Sequence, residues 1–136
     1  MSKQFNKLVF VGHLGSDPEM RYTPSGKPVT SFSVASNNQF TNEKGEIVKI
    51  TTWYRCSAWG KAAEIYNQYL KKGSKILVEA RLDPDPATGG PRLWTDQAGK
   101  AHASFECTVR ELYFLDVKNG NGGGELPEPA SEDAPY

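Results

Sequence analysis

Between Thr51 and Lys61 the chain reads TTWYRCSAWGK, and its residue types sort with a period of two, the repeat that an extended strand imposes. Trp53, Arg55, Ser57 and Trp59 fall on one face, and Thr52, Tyr54, Cys56 and Ala58 on the other. Indoles flanking an arginine make a poor core face, because a guanidinium is rarely buried without a partner. They make a good platform for nucleotide bases. Each base offers a π-face to an indole while the arginine stands near the phosphates. The bland alternative has both tryptophans packed in the core or between subunits, with Arg55 snorkelling past them.

Two further aromatics need a reason to be where they are. Phe40 is the lone ring in the polar stretch Asn37 to Glu46 (NNQFTNEKGE), which reads as a long hairpin tip. Trp94 lies in Asp83 to Lys100 (DPDPATGGPRLWTDQAGK), an excursion rich in Pro, Gly and Asp, where an exposed indole is costly surface. Local anchoring or subunit packing would account for either ring, and so would contact with a ligand.

Catalytic chemistry lacks its parts. His13 and His102 are the only histidines, and no HExxH, Walker-type loop, Ser/His/Asp set or paired Cys/His set occurs. His13 reads as a polar residue at a strand end. No enzyme activity, metal or cofactor is expected. Cys56 and Cys107 are far apart without CxxC spacing, so they read as reduced, buried small hydrophobes rather than a disulfide or metal pair.

The elements that must position these residues follow in order. Lys7 to Leu14 (KLVFVGHL) is β-branched and aromatic enough for a first strand, bounded by Gly12 and Gly15. Ser16 to Arg21 leaves it through a turn, TPSG at Thr23 to Gly26 makes another, and Val29 to Ser36 alternates as a second strand. The third strand begins near Ile47, carries the opening stretch and stops at Gly60. Lys61 to Lys72 then changes to a helical period, with Ala62, Ile65, Tyr66 and Tyr69 on one stripe. Gly73 stands past its end, and Lys71 and Lys72 fall in the last turn. Lys75 to Leu82 and Ala103 to Leu115, the latter long enough for a bulge, complete five strands. Three strands, a helix and two strands is the element order of an all-β, five-stranded Greek-key OB barrel with one helix.

Charge divides the chain. Through Leu115 there are 15 Lys+Arg against 11 Asp+Glu, a surplus of four; from Asp116 onward one lysine meets five acids. A mildly basic body suits an anionic ligand. Residues 1–115 therefore read as one binding domain. Residues 116–136, Gly-rich and then Pro/Glu-rich without periodicity, read as a disordered tail. No apolar run reaches the roughly 18 residues of a membrane span, and the N-terminal run is too short and Gly-punctuated for a signal peptide. A cytoplasmic protein is expected.

NKLVFVGHLGSDPEMRYTPSG at Asn6 to Gly26, TTWYRCSAWGKAAEIYNQYLKKGSKILVEARL at Thr51 to Leu82 and LWTDQAGK at Leu93 to Lys100 resemble the bacterial single-stranded DNA-binding protein (SSB) family. The resemblance covers roughly Asn6 to Leu115. It implies an OB fold, a homotetramer and single-stranded DNA wrapped around it near the nucleoid. Carried over by position, it implies stacking roles for Phe40, Trp53, Trp59 and Trp94 and phosphate contacts at Lys7, Arg21, Arg55, Lys61 and Lys72. It also implies docking of replication and repair proteins on the tip Glu132, Asp133, Ala134, Pro135 and Tyr136. The chain departs from the family in three places: Asp83 and Asp85 intrude into the last hairpin arm, Tyr54 stands where histidine is common, and the tip has fewer acids and ends in tyrosine. A replication-restart OB module, expected to be a dimer, is the competing reading. Retention of Trp53, Trp59, Trp94 and the acidic tip argues against it.

Overall fold

The alternation written into the sequence is the alternation that the backbone follows. The computed structural model describes residues 5–116. They form β1 (Leu8–Leu14), β2 (Glu19–Tyr22), β3 (Pro28–Thr41), β4 (Ile47–Trp59), α1 (Lys61–Tyr69), β5 (Lys75–Leu82), β6 (Arg92–Thr95) and β7 (Ala101–Phe114). Hydrogen-bonded neighbours run β1, β5, β7, β4, β3, and β3 returns to β1 at His13↔Ala35 and Leu14↔Val34. Five strands thus close into a barrel, with β2 added beside β3 and β6 beside β7. Every pairing is antiparallel except β4 with β7, the parallel contact that seals the barrel. This is the expected OB fold, and α1 occupies the connection between the third and fourth barrel strands.

Inward positions of each barrel strand meet in one core: Phe10, Leu14, Phe32, Val34, Cys56, Ile76, Val78, Ala80, Cys107 and Leu112. Tyr54 packs against this core, its ring stacked on Phe10 at 3.9 Å between centroids. Burial raises its phenol above the ordinary value. Cys56 and Cys107 are brought side by side in β4–β7 register, Sγ to Sγ 3.6 Å, and both are free thiols. Hydrogen bonding with Cys107, then burial, holds the Cys56 thiol well above its ordinary value. A thiol so held is a weak nucleophile.

Four local expectations needed the tertiary structure to correct them. Glu19–Tyr22, read as part of a turn, is a strand because it pairs along β3 from Glu19↔Ser31 to Tyr22↔Pro28. Asn37 to Thr41, read as hairpin tip, continues β3 against β4 as far as Thr41↔Ile47. The turn itself is confined to Asn42–Glu46, where the Asn42 carboxamide oxygen accepts from the backbone N–H groups of Lys44 and Glu46. Within the excursion after β5, Arg92–Thr95 pairs with β7 as β6.

The helix stops at Tyr69, short of Lys71 and Lys72, so its dipole does not explain those lysines. Leu70 turns extended (φ −83°, ψ 151°) and drops its side chain into the core, a gain that outweighs one more helical turn. The packed stripe is accordingly Ala63, Tyr66 and Leu70, while Ile65 and Tyr69 stay exposed. The Thr30 hydroxyl, wholly buried, donates to the Ala63 carbonyl at 2.6 Å and so seats α1 on β3. The expected bulge in the last strand falls at Arg110, skipped between Glu79↔Glu111 and Ala80↔Val109.

Candidate nucleic-acid interface

Outward-facing positions of β4 set the site. Opposite them on β3 stand small residues: Ala35 faces Trp53, Ser33 faces Arg55 and Ser31 faces Ser57. Two large rings and a guanidinium therefore rise from a low floor. The indole of Trp53 leans over Gly15, where a β-carbon would come within 2.7 Å of its Cζ3 and 2.8 Å of its Cη2. Glycine is what lets the ring lie that close.

A second wall comes from the β6–β7 ribbon. Arg92 pairs with Ser104 and Trp94 with His102, which places all four on one side of the ribbon. The Trp94 ring stacks on the His102 imidazole at 4.5 Å and 21°, and its Nε1–H donates to Ser104 Oγ at 2.8 Å. Between the two walls runs an open groove of about 710 Å³, lined by Gly15, Ser33, Trp53, Arg55, Arg92 and Trp94 among others. Arg92 Nη1 lies 3.3 Å from Glu106 Oε2, an exposed pair that holds the guanidinium at the groove. Among the described residues, no carboxylate pairs with Arg55.

Trp59 continues the same face of β4 about 20 Å further along the strand. Lys27 Nζ sits 5.6 Å from the centre of its ring, within cation–π reach. Arg21 joins it there, since Arg21 pairs with Val29 and Val29 with Trp59. The face is thus a row from Trp94 through Trp53 and Arg55 to Trp59 and Arg21.

The other expected residues lie elsewhere. Phe40 pairs with Val48, an even-numbered position, so alternation puts its ring on the opposite side of the β3–β4 ribbon from Trp53. Lys7 is engaged with Glu79 at 3.0 Å on the β1–β5 side and does not line the groove. Lys61 opens α1 beside Trp59 and Gly60. Lys72 stands at the groove's margin, its backbone N–H donating to Asp17 Oδ1 at 2.8 Å, next to Gly15 and Ser16. The tip Glu132–Tyr136 lies outside the described residues.

The intruding acids are occupied by structure. Asp83 accepts from Arg81 Nε at 3.3 Å and from the Thr108 hydroxyl at 2.5 Å. Asp85 accepts from the Ala87 N–H at 2.8 Å and closes the turn through its backbone. Both carboxylates thus have partners within the fold.

Gly15, Lys27, Arg92, His102 and Ser104 line or flank the site although the sequence reading assigned none of them to it. Arg92 was legible in principle: it stands two residues before Trp94 and shares its face once the segment is a strand. Reading that segment as a loop removed the alternation.

A family model described as the single-strand binding protein family matches residues 5–115. This chain belongs to that family. Among curated members, single-stranded DNA-binding protein 1 of Chlorobaculum tepidum is 37% identical over 124 residues, which cover 90% of this chain and 72% of that protein. The single-stranded DNA-binding protein of Wolinella succinogenes is 38% identical over 120 residues, 88% and 70% of the two chains. Among solved structures, a deletion mutant of the single-stranded DNA binding protein from Thermus aquaticus superposes with a TM-score of 0.64 at 28% identity. The match covers 87% of this chain and 52% of that one, so this chain spans about half its length. A Plasmodium falciparum SSB in complex with ssDNA shares the fold, with a TM-score of 0.68 at 24% identity over 85% of this chain and 99% of that one.

Proposed function

We propose that this chain binds single-stranded DNA with little regard to sequence, by stacking bases on Trp53, Trp94 and Trp59 and holding phosphates near Arg55, Arg92 and Arg21. One observation carries the reading: three indoles 52%, 39% and 43% exposed share a face with guanidinium groups over a floor of serine, glycine and alanine. A ring kept half out of the core of its own fold needs an outside partner. Stacking is worth ~1–3 kcal/mol per base in proteins of this kind, a magnitude measured on family members rather than worked from this structure. Three rings then contribute on the order of 3–9 kcal/mol, before the cost of ordering the strand.

Base identity matters little to a stack, and α1 packs against the barrel rather than standing free to enter a major groove. Duplex DNA is the poorer ligand, because its bases have no free face. Titrating intrinsic tryptophan fluorescence with poly(dT) at two salt concentrations tests the reading. Strong quenching that persists at the higher salt supports it, and unquenched emission would remove it.

The remaining roles rest on family membership. The protein protects single strands during replication, recombination and repair in the cytoplasm, in contact with the nucleoid, and it assembles as a homotetramer. Lys7, Lys61 and Lys72 add phosphate contacts, and Phe40 supplies a stacking ring from the other side of its ribbon. Glu132, Asp133, Ala134, Pro135 and Tyr136 dock partner enzymes. Light scattering should give a mass of about four 15.0 kDa chains. A dimer would favour the restart-type module instead. Deleting residues 132–136 should abolish partner pulldown while leaving DNA affinity intact or stronger; retained pulldown would sink the docking role.

A further inference from the structure

Among the described residues, Trp94 alone of the three tryptophans on the face is stacked on a second ring, and that ring is in turn held by a carboxylate. His102 lies directly across the β6–β7 ladder from Trp94 and stacks on it nearly parallel. Its Nε2 is 2.8 Å from Asp96 Oδ2. The other carboxylate oxygen, Oδ1, accepts from the backbone N–H groups of Ala98 and Lys100, both at 2.9 Å, and closes the hairpin turn. The indole edge is fixed separately by Nε1–H to Ser104 Oγ. One carboxylate therefore shapes the turn and aims the imidazole, and the imidazole backs the indole.

We propose that His102 is a positioning residue for DNA binding: anchored on Asp96, its ring pre-orients Trp94 so that the indole meets an incoming base without first having to be ordered. This deepens the proposed single-strand binding and rests on that reading. The physical reason is the short β6, four residues with every side chain exposed, so that no core packing holds Trp94 in one rotamer. An exposed indole free to swing loses rotamer freedom each time a base docks, which weakens binding. A second ring stacked on one face removes that freedom in advance and leaves the other face for the ligand. Asp96 is held below its ordinary carboxyl value, by the His102 hydrogen bond first and then by the Lys100 N–H, in keeping with a carboxylate that stays charged and engaged.

Substitutions at one position separate the parts of the device. His102→Ala removes the ring and the Asp96 bond, His102→Gln keeps a hydrogen-bonding group without the ring, and His102→Phe keeps a flat ring without the bond. Aromatic pairs of this geometry contribute enough that losing one weakens oligo(dT) binding by about two- to tenfold. That loss is expected for His102→Ala and His102→Gln, with His102→Phe restored to within about twofold of the parent. The spectroscopic readout is made on the DNA-free full chain carrying Trp53→Phe and Trp59→Phe, which leaves Trp94 as the single indole. There, fluorescence anisotropy of Trp94 should fall on His102→Ala and recover with His102→Phe.

Unchanged anisotropy and affinity in His102→Ala would overturn the proposal, as would a His102→Phe variant no better than His102→Ala. Because the anisotropy is read without DNA, it tests the positioning separately. A parent protein that fails to bind oligo(dT) counts against the proposed function, not against the coupling of the two rings.

Discussion

Gly15→Ala tests the groove at a position whose backbone has no need of glycine. Its φ lies outside the left-handed region, and its N–H donates to the Ser33 carbonyl at 3.1 Å, a bond that alanine keeps. The new methyl would meet Trp53 Cζ3 at 2.7 Å and Cη2 at 2.8 Å, whereas carbons rest near 3.5–4.0 Å. The ring must recede by about 1 Å. Those atoms are the far end of a half-exposed side chain, so the ring can swing away at a stability cost below roughly 1 kcal/mol. The stack on Trp53, worth ~1–3 kcal/mol when well placed, should lose about half of that. Oligo(dT) affinity then falls by roughly two- to tenfold with little change in Tm. Anisotropy of a labelled oligonucleotide measures this across a cycle with Trp53→Ala. In the Trp53→Ala background the Gly15 substitution should have almost no effect, because the ring that it displaces is gone. Additive losses would refute the claim that Gly15 acts through Trp53.

Trp53→Ala and Trp94→Ala should weaken binding at low and high salt alike, whereas Lys72→Ala should matter chiefly at low salt and flatten the log–log salt slope by about 0.7 for the phosphate that it no longer neutralises; titrations at several salt concentrations decide it. Gly12→Ala acts on the fold instead, since its methyl would strike the Ala35 carbonyl and lie 2.7 Å from Val34 Cγ1. That backbone cannot swing aside, and overpacking of this kind costs ~1–3 kcal/mol, a drop of roughly 5–15 °C in the calorimetric Tm. Acid should loosen the β6–β7 turn. With the Asp96 carboxyl depressed in the fold, by His102 first, its contribution is complete above the ordinary carboxyl value and is lost as pH falls through the lower folded value. Trp94 emission in the single-tryptophan protein should change below about pH 4, and Asp96→Asn should remove that transition.

Local sequence determined whatever depends on the period of one strand. Which side of β4 carries Trp53, Arg55 and Trp59, and which side carries Cys56 and Ala58, is settled by alternation, because a strand has only two faces and one is apolar. The order of the five barrel strands, the helix after Gly60 and the turn at Gly26 were legible for the same reason: each is recorded within a few residues. Tertiary structure decided whatever depends on pairing between distant segments. Glu19–Tyr22 and Arg92–Thr95 are strands only because β3 and β7 offer them an edge. The helix ends at Tyr69 because the core has room for Leu70. The groove itself belongs to this second class. Trp94 stands opposite Trp53 because β6 rides on β7 and β7 lies beside β4, while Phe40, similar to both in type, falls on the other side of its ribbon by one residue of register. A sequence names the rings; only the closed barrel fixes which of them share one groove.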